Sequence, residues 1–412
     1  MRSIFTTFDV NHPKTGKPID WLGSMQIMFD QASLANKTLW EQTYVDRLCD
    51  FRPPKLGLTA EGIMGQYSVR IRAAVIGNDS DTPLRTGRGF EVWSGEIPRF
   101  GHKFKMTVKT LRSLLEVYEN NHLNAEQKIK EMEKIILGDF KDGYLGCKDV
   151  ADEILLKSLS GGGVALFDPA VDNPEGITYE VDYGMPSENK LLLPKEFEWT
   201  EANLNNESMD LLGLFVKIIY MYRQKGIEFK EIWVAPWVKY WMLRTLNIRL
   251  AALGRDKATR IVKEDEFDAL LSSMKIPPIV EINKRTAYQK DGKPTNIIPW
   301  DENVVTFIPE TKDKKLAEVQ PAVEDNKLMP DPDVDYTDAD HGIRIAKWRT
   351  GESSGQTPAE FTQATWRALP IVTAINGVVN LQVRNTDKKF AEDASVINPC
   401  LLYTSPSPRD TR

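Results

Sequence analysis

The sequence has 412 residues, of which 41% are hydrophobic and 27% charged, with a mean hydropathy of -0.38; this excludes wholesale disorder, collagen-like repeats and coiled-coil rods. Lysine and arginine total 53 against 59 acids, a formal net charge of -6, so the overall field does not draw the chain to nucleic acid. No apolar run approaches the roughly 20 residues of a membrane span, Met1-Arg2-Ser3-Ile4-Phe5-Thr6 lacks a secretory apolar stretch, and Cys49, Cys147 and Cys400 are too scattered for a disulfide framework or a thiolate metal site. A chain of this length forms about three domains or one elaborate domain, made and kept in a reducing cytoplasm.

Residues 1–65 are poor in periodicity, with turn clusters at Asn11–Gly16 and Arg52–Lys55, and are read as an N-terminal arm with one helix between Trp21 and Leu39. From Gln66 the alternation of Tyr67, Val69 and Ile71 against Ser68, Arg70 and Arg72 predicts a strand to Ile76. A polar, Gly-rich stretch, Gly77–Gly89, separates it from a second strand, Phe90–Ile97, so 66–107 reads as an extended hairpin. A long two-stranded hairpin is marginal alone in water, so this one is expected to lie on something else, such as another subunit.

Helical spacing follows in Leu111, Leu114, Leu115 and Tyr118, then in Ala125, Ile129, Met132 and Ile136, and beyond a turn at Lys141–Tyr144 in Ala151, Ile154, Leu155 and Leu159. Short strands are expected at Val164–Phe167 and Ile177–Asp182. A compact α/β pattern then begins: a helix from Met209 to Lys225 capped by Asn206 or Ser208 and stopped by Gly226, a strand Glu231–Val234, a helix opened by Pro236, a helix Glu264–Met274, and strands Ile279–Tyr288 and Val304–Ile308 about an Asp291-Gly292 turn. Thr311–Asp340 reads as a charged linker or surface loop, and strands are predicted at Ile343–Arg349, Phe361–Ala368 and Val378–Val383. The tail from Cys400 through Asp410 matches, codon for codon, the translation of a transposon-type sequencing adapter. It is read as foreign to the fold, with the natural terminus expected near or beyond Pro399.

The search for catalytic motifs is negative: no G-x-x-x-x-G-K-[ST], H-E-x-x-H, G-x-S-x-G or paired C-x-x-C occurs, and His12, His102, His122 and His341 have no i, i+4 partner. Asp331, Asp333, Asp335, Asp338 and Asp340 resemble the opening of a calcium loop, but Tyr336 and Gly342 stand where its glycine and bidentate Glu belong, so the bland reading is a solvated acidic loop. Gly161-Gly162-Gly163 is a phosphate cradle or, with no Lys-Ser or Lys-Thr after it, a helix stop. Trp233, Trp237, Tyr240 and Trp241 form either a stacking platform or ordinary core, given Val234, Val238 and Met242 among them. Arg70, Arg72, Arg85 and Arg88 are a solvated basic face or the partners of acids on a neighbouring subunit, with Glu91 and Trp93 beside them on the hairpin.

The order and spacing of these elements resemble the major capsid proteins of tailed bacteriophages with the HK97-type fold, most closely the lambda-like E-type family. The resemblance spans about Met64–Val383 and rests on Tyr67–Arg72 with Arg85–Gly89, Val181–Gly184, Ile232–Pro236, and Pro358–Phe361 through Leu369–Val372. It implies an α+β fold. Residues 66–107 would be the extended loop overlapping a neighbour, 108–184 a peripheral domain with a long spine helix, 185–310 an axial α/β domain, 311–342 an acidic linker and 343–399 returning strands of the peripheral domain. Lys141–Cys147 departs from the pattern of one continuous spine helix. The implied role is a non-enzymatic shell subunit that self-assembles into hexameric and pentameric capsomers of an icosahedral head around double-stranded DNA, without sequence-specific binding, cofactor or membrane. Scaffolding, portal and decoration proteins are its implied partners, supplied separately, since no long N-terminal scaffolding segment or fused protease is seen. The virion is its location, after assembly in a bacterial cytoplasm. The alternatives are an encapsulin-like nanocompartment shell and a soluble α/β enzyme or ligand-binding protein using the aromatic cluster near Trp237.

Overall fold

A computed structural model describes residues 43–64, 91–120, 124–290, 293–312, 315–351, 359–384 and 394–397. The chain is mixed α+β and forms two compact units, each built from separated stretches of sequence.

The first unit draws on residues up to Ala60, Ser94–Asp152 and Ala317–Ile371. Its sheet runs Cys49–Phe51, Ala317–Ala322, Ala359–Ile371, Arg344–Thr350, Asp335–Asp338, with Arg99–Met106 pairing antiparallel to Ala359–Ile371. The 13-residue strand Ala359–Ile371 holds the sheet together: one part lies between Arg99–Met106 and Arg344–Thr350, and its end pairs with Ala317–Ala322. One face of the sheet takes the helix Ala125–Ser160 through its residues up to Asp152. Close approach is possible because the helix carries glycines there: a Cβ on Gly143 would stand 3.0 Å from the Ala364 Cβ, and one on Gly146 only 2.3 Å from the His102 ring.

The second unit takes Glu61–Trp93, Glu153–Leu316 and the chain from Val372 on. Its sheet has the order Ser395–Val396, Lys190–Leu192, Val379–Gln382, Val304–Pro309, Phe229–Val234, Ile279–Glu281. Val304–Pro309 is buried throughout, which is why its sequence is apolar on both faces, broken only by Thr306, rather than an alternation. The helices Leu211–Gln224, Pro236–Arg244, Leu246–Leu253 and Glu264–Ser273 supply the rest of the core. Trp199 stacks on Trp241 at 5.0 Å and Trp233 meets Trp300 at 6.0 Å, all four rings being buried. The helix Leu211–Gln224 is capped by Asp210, whose Oδ1 accepts from Gly213 N–H at 2.8 Å, rather than by Asn206 or Ser208; Gly226, at φ 82°, follows it in the left-handed region as expected.

Several expectations need correction. The turn-like Lys141–Cys147 does not interrupt the helix, which is continuous over 36 residues; its glycines serve packing against the sheet, not a turn. The arm is not detached up to residue 65: Thr43 caps the helix Tyr44–Leu48, Val45 and Cys49 are fully buried, and Cys49–Phe51 joins the first sheet. Thr59–Met64 pairs with Glu91–Glu96, so the hairpin stem begins before Gln66, while Arg99–Met106 belongs to the sheet rather than to an extended loop. The supposed linker after Thr311 contains the strand Ala317–Ala322, almost wholly buried. Of the late strands, Val379–Gln382 enters the sheet of the second unit, between Lys190–Leu192 and Val304–Pro309. The predicted strand 67–76, the helix between Trp21 and Leu39 and the tail from Cys400 lie outside the described residues.

Candidate functional site

Residues that suggested small-molecule or metal chemistry are occupied in holding the fold. The carboxylates of the acidic stretch diverge: Asp331 Oδ1 accepts from Asp333 N–H at 2.9 Å, Asp338 from Arg344 at 2.9 Å and Lys327 at 3.1 Å, and Asp340 from the Tyr144 hydroxyl at 3.3 Å. Among the described residues no group of three or more His, Cys, Asp or Glu side chains is placed to hold a metal ion. His102 lies under the long helix with Nε2 3.1 Å from the Gly143 carbonyl, and burial lowers its pKa. The His341 ring stacks on Phe51 at 3.6 Å and its carbonyl accepts from Trp366 Nε1 at 2.9 Å. His12 and His122 fall outside the described residues. Cys49 and Cys147 are buried free thiols, and burial pushes the Cys147 thiol up, away from nucleophilic use.

Gly161-Gly162-Gly163 is a helix stop. Gly161 N–H donates to Lys157 O at 2.7 Å and Gly163 N–H to Ser158 O at 2.9 Å, with Gly162 and Gly163 at φ 71° and 90°. The aromatic cluster is core at Trp233 and Trp241. Trp237 and Tyr240 reach the surface, but the Arg384 guanidinium lies 3.9 Å over the Trp237 ring and that of Arg244 5.2 Å over Tyr240. No helix among the described residues is long and apolar enough to cross a membrane.

Of the hairpin residues singled out in the sequence, Arg70, Arg72, Arg85 and Arg88 lie outside the described residues. Glu91 and Trp93 stand on the strand Glu91–Glu96. Trp93 anchors it within the second unit: its Nε1 donates to the Asp182 carbonyl at 2.7 Å and its ring tilts against buried Tyr183 at 4.9 Å. The Asp182 side chain fixes the next turn, accepting from Gly184 N–H at 2.7 Å with Gly184 at φ 68°. Val92 and Ile63, on the two paired stem strands, are exposed apolar side chains.

Sequence reasoning missed the polar anchors on the long helix. Asp152, fully buried, accepts from Val45 N–H at 2.7 Å and Tyr44 N–H at 3.0 Å, so a side chain from this helix caps the short helix Tyr44–Leu48 more than a hundred positions away. One turn earlier Lys148 reaches Asp46 at 2.8 Å; burial works to raise the Asp46 carboxyl, but the ammonium holds it below its ordinary range. In the second unit Lys157 bridges Glu153 at 2.7 Å and Asp172 at 2.5 Å. The available signal was Lys148 and Asp152 at i, i+4 on the apolar stripe itself, where solvated charges do not belong. These groups fix segments to one another; they do not converge on a ligand.

No family model matches the sequence, and no curated protein matches it. Among solved structures the chain is similar to a prophage protein of E. coli CFT073 assigned as a capsid protein, with 9% identity, 88% of this chain and 99% of that one covered, and a TM-score of 0.50. It is also similar to a phage-related protein of Bordetella bronchiseptica RB50, with 13% identity, coverage of 87% and 96%, and a TM-score of 0.40. A third is the satellite phage P4 procapsid, with 10% identity, coverage of 92% and 99%, and a TM-score of 0.40. The fold is shared with the first of these, the prophage protein assigned as a capsid protein, over nearly its whole length.

Proposed function

We propose that the protein is the major capsid protein of a tailed phage, a structural subunit that self-assembles into an icosahedral head enclosing double-stranded DNA. The observation that carries this reading is the fold shared with a prophage capsid protein over 88% of the chain. Three features support it. The stem Thr59–Met64/Glu91–Glu96 is a two-stranded ladder of the kind that gains stability by lying on a neighbour. The largely buried charged side chains Lys148, Asp152 and Lys157 hold segments of the chain to one another, which suits a subunit whose work is done by interfaces. A net charge of -6 suits a container wall that must not grip phosphates.

In this reading the unit containing Arg99–Met106 and Ala359–Ile371 is the peripheral domain of an HK97-type subunit, Ala125–Ser160 its spine helix, the unit around Val304–Pro309 the axial domain, and the paired strands Thr59–Met64 and Glu91–Glu96 the stem of its extended loop. Arg70, Arg72, Arg85 and Arg88 would meet acids of the adjacent copy, with scaffolding, portal and decoration proteins as separate partners. Electron microscopy and sedimentation of the expressed chain, alone and with the small open reading frames beside its gene, test the reading. Closed shells or capsomer rings are expected. A folded monomer under all these conditions overturns it.

A further inference from the structure

Two adjoining surface elements of the second unit carry opposite charge around exposed apolar side chains. The first is the hairpin Val164–Phe167/Tyr179–Asp182 with the turn that joins its strands. Val171 and Ile177 in that turn are 68% and 76% exposed, and Leu166 stands exposed opposite Glu180 on the hairpin. Glu175 and Glu180 are exposed and enter no ion pair among the described residues, whereas Asp172 near them is committed to Lys157 at 2.5 Å. The second element is the hairpin Thr286–Lys290/Lys293–Ile297. Its Tyr288 hydroxyl donates to the Val171 carbonyl at 3.2 Å, which sets the two elements side by side. Lys290 and Lys293 stand directly opposite one another on the face that carries Tyr288, exposed and without an ion pair among the described residues. Across 284–293 the sequence has four basic residues and a single acid, Asp291.

Like charges directly opposite each other weaken a two-stranded ladder, and such a ladder is marginal in water with nothing against its face. Acids brought against Lys290 and Lys293 relieve that cost. An apolar centre with charged flanks is also the anatomy of a protein interface. With one flank of each sign, this patch is complementary to itself after a half-turn. We propose that it docks on the same patch of a second copy, Glu175 and Glu180 of each chain facing Lys290 and Lys293 of the other across Val171 and Ile177, so that the contact closes at two copies. A second copy is the occupant the charges favour. A polyanion would meet Glu175 and Glu180 beside the lysines, and a polycation would meet the lysines, whereas a second chain answers both signs at once. The inference rests on the reading of the chain as a self-assembling subunit and names one surface through which its copies pair.

The test uses the full chain, with isotopically light and heavy preparations equilibrated together, treated with a carbodiimide that joins touching carboxylates and amines, and digested for mass spectrometry. Links from Glu175 or Glu180 to Lys290 or Lys293 that combine a light and a heavy chain are expected. Links confined to one label place the pairs inside a single chain and overturn the docking. In sedimentation velocity, Glu175→Lys/Glu180→Lys and Lys290→Glu/Lys293→Glu each leave two flanks of like charge, and each is expected to associate at least about tenfold more weakly at ~0.15 M salt. Their equimolar mixture and the quadruple variant restore opposite flanks and are expected to regain association. All four side chains are exposed, so unchanged near-UV circular dichroism is expected, and recovery in the quadruple variant excludes misfolding as the cause of loss. Double variants that associate like the unsubstituted chain, or a loss that neither mixture nor quadruple variant repairs, overturn the docking. Shells or rings without light-heavy links overturn it too and leave the shell reading standing. Light-heavy links in dimers that build no shell or ring uphold the docking and overturn the shell reading, and a chain that stays monomeric overturns both.

Discussion

Asp152→Ala is the substitution for which the structure sets the firmest expectation. The carboxylate is fully buried and accepts from two backbone amides of the helix Tyr44–Leu48, at 2.7 and 3.0 Å. Hydrogen bonds to a charged acceptor contribute about 1.5–3 kcal/mol each, and an amide left buried without one costs a similar amount. Val45 is itself fully buried, so water does not replace the lost acceptor at its amide without opening the site. We expect Asp152→Ala to destabilise the folded chain by about 3–5 kcal/mol, and Asp152→Asn, which keeps one carbonyl oxygen but loses the charge, by about half of that. Urea titration measures the loss. Hydrogen exchange locates it, because Cys49–Phe51 follows directly and its pairing with Ala317–Val319 depends on where the short helix is held. Protection should fall first at residues 44–51. A change below about 1 kcal/mol with unaltered exchange there would refute the idea that this carboxylate fixes the segment to the unit.

Gly146→Ala places a methyl 2.3 Å from the His102 ring and should cost about 1–3 kcal/mol, of which His102→Ala in the same chain recovers a part measurable in a double-mutant cycle. Trp93→Phe keeps the ring against Tyr183 but removes the bond to the Asp182 carbonyl, and should lose about 1 kcal/mol in thermal unfolding; Trp93→Ala, losing both, should lose about 2–4 kcal/mol. Burial brings the Lys347 ammonium down to about 7 against the pull of Glu360 and Asp139. Between pH 7 and the ordinary lysine range of about 10 the unfolded chain therefore binds a proton that the folded chain does not, and stability should rise with pH across that window and stop falling below it. Lys347→Met should flatten this slope in urea midpoints taken from pH 7 to 9.5; an unchanged slope would show that the group keeps its proton when folded.

The order of elements was largely legible in the sequence because it depends on local periodicity. The stripe Ala151, Ile154, Leu155, Leu159 lies on the buried side of the long helix, and the runs at Val164–Phe167 and Val304–Pro309 are strands. What failed did so for non-local reasons. Gly143 and Gly146 read as a turn because glycine weakens a helix, whereas their use is set by Ala364 and His102, which come from two other strands. Ala317–Ala322 read as linker because its neighbours are charged and it contains Pro321, yet it joins Cys49–Phe51 to Ala359–Ile371. Val379–Gln382 was assigned to the wrong unit, since alternation specifies a strand's faces and leaves its partners open.

The proposed function was legible only through the arrangement as a whole, and the charges show why. Arg99, Arg367 and Arg344 are committed inside the first unit, to Glu324 at 3.2 Å, Asp325 at 2.6 Å and Asp338 at 2.9 Å. Lys103 and Lys105 lie a few residues from Arg99 on the same strand and look no different in sequence, yet both are exposed, and the Lys103 ammonium lies over the Phe361 ring at 5.2 Å rather than on an acid. Whether a basic residue pairs within its own fold depends on whether an acid has been brought within reach by strands distant in sequence. An enzyme concentrates its reacting groups at one point, where motif spacing exposes them. A subunit of the kind proposed would instead spread recognition over surfaces, and the surfaces of the first unit come into existence only once Ala359–Ile371 has brought strands from both halves of the chain to its sides.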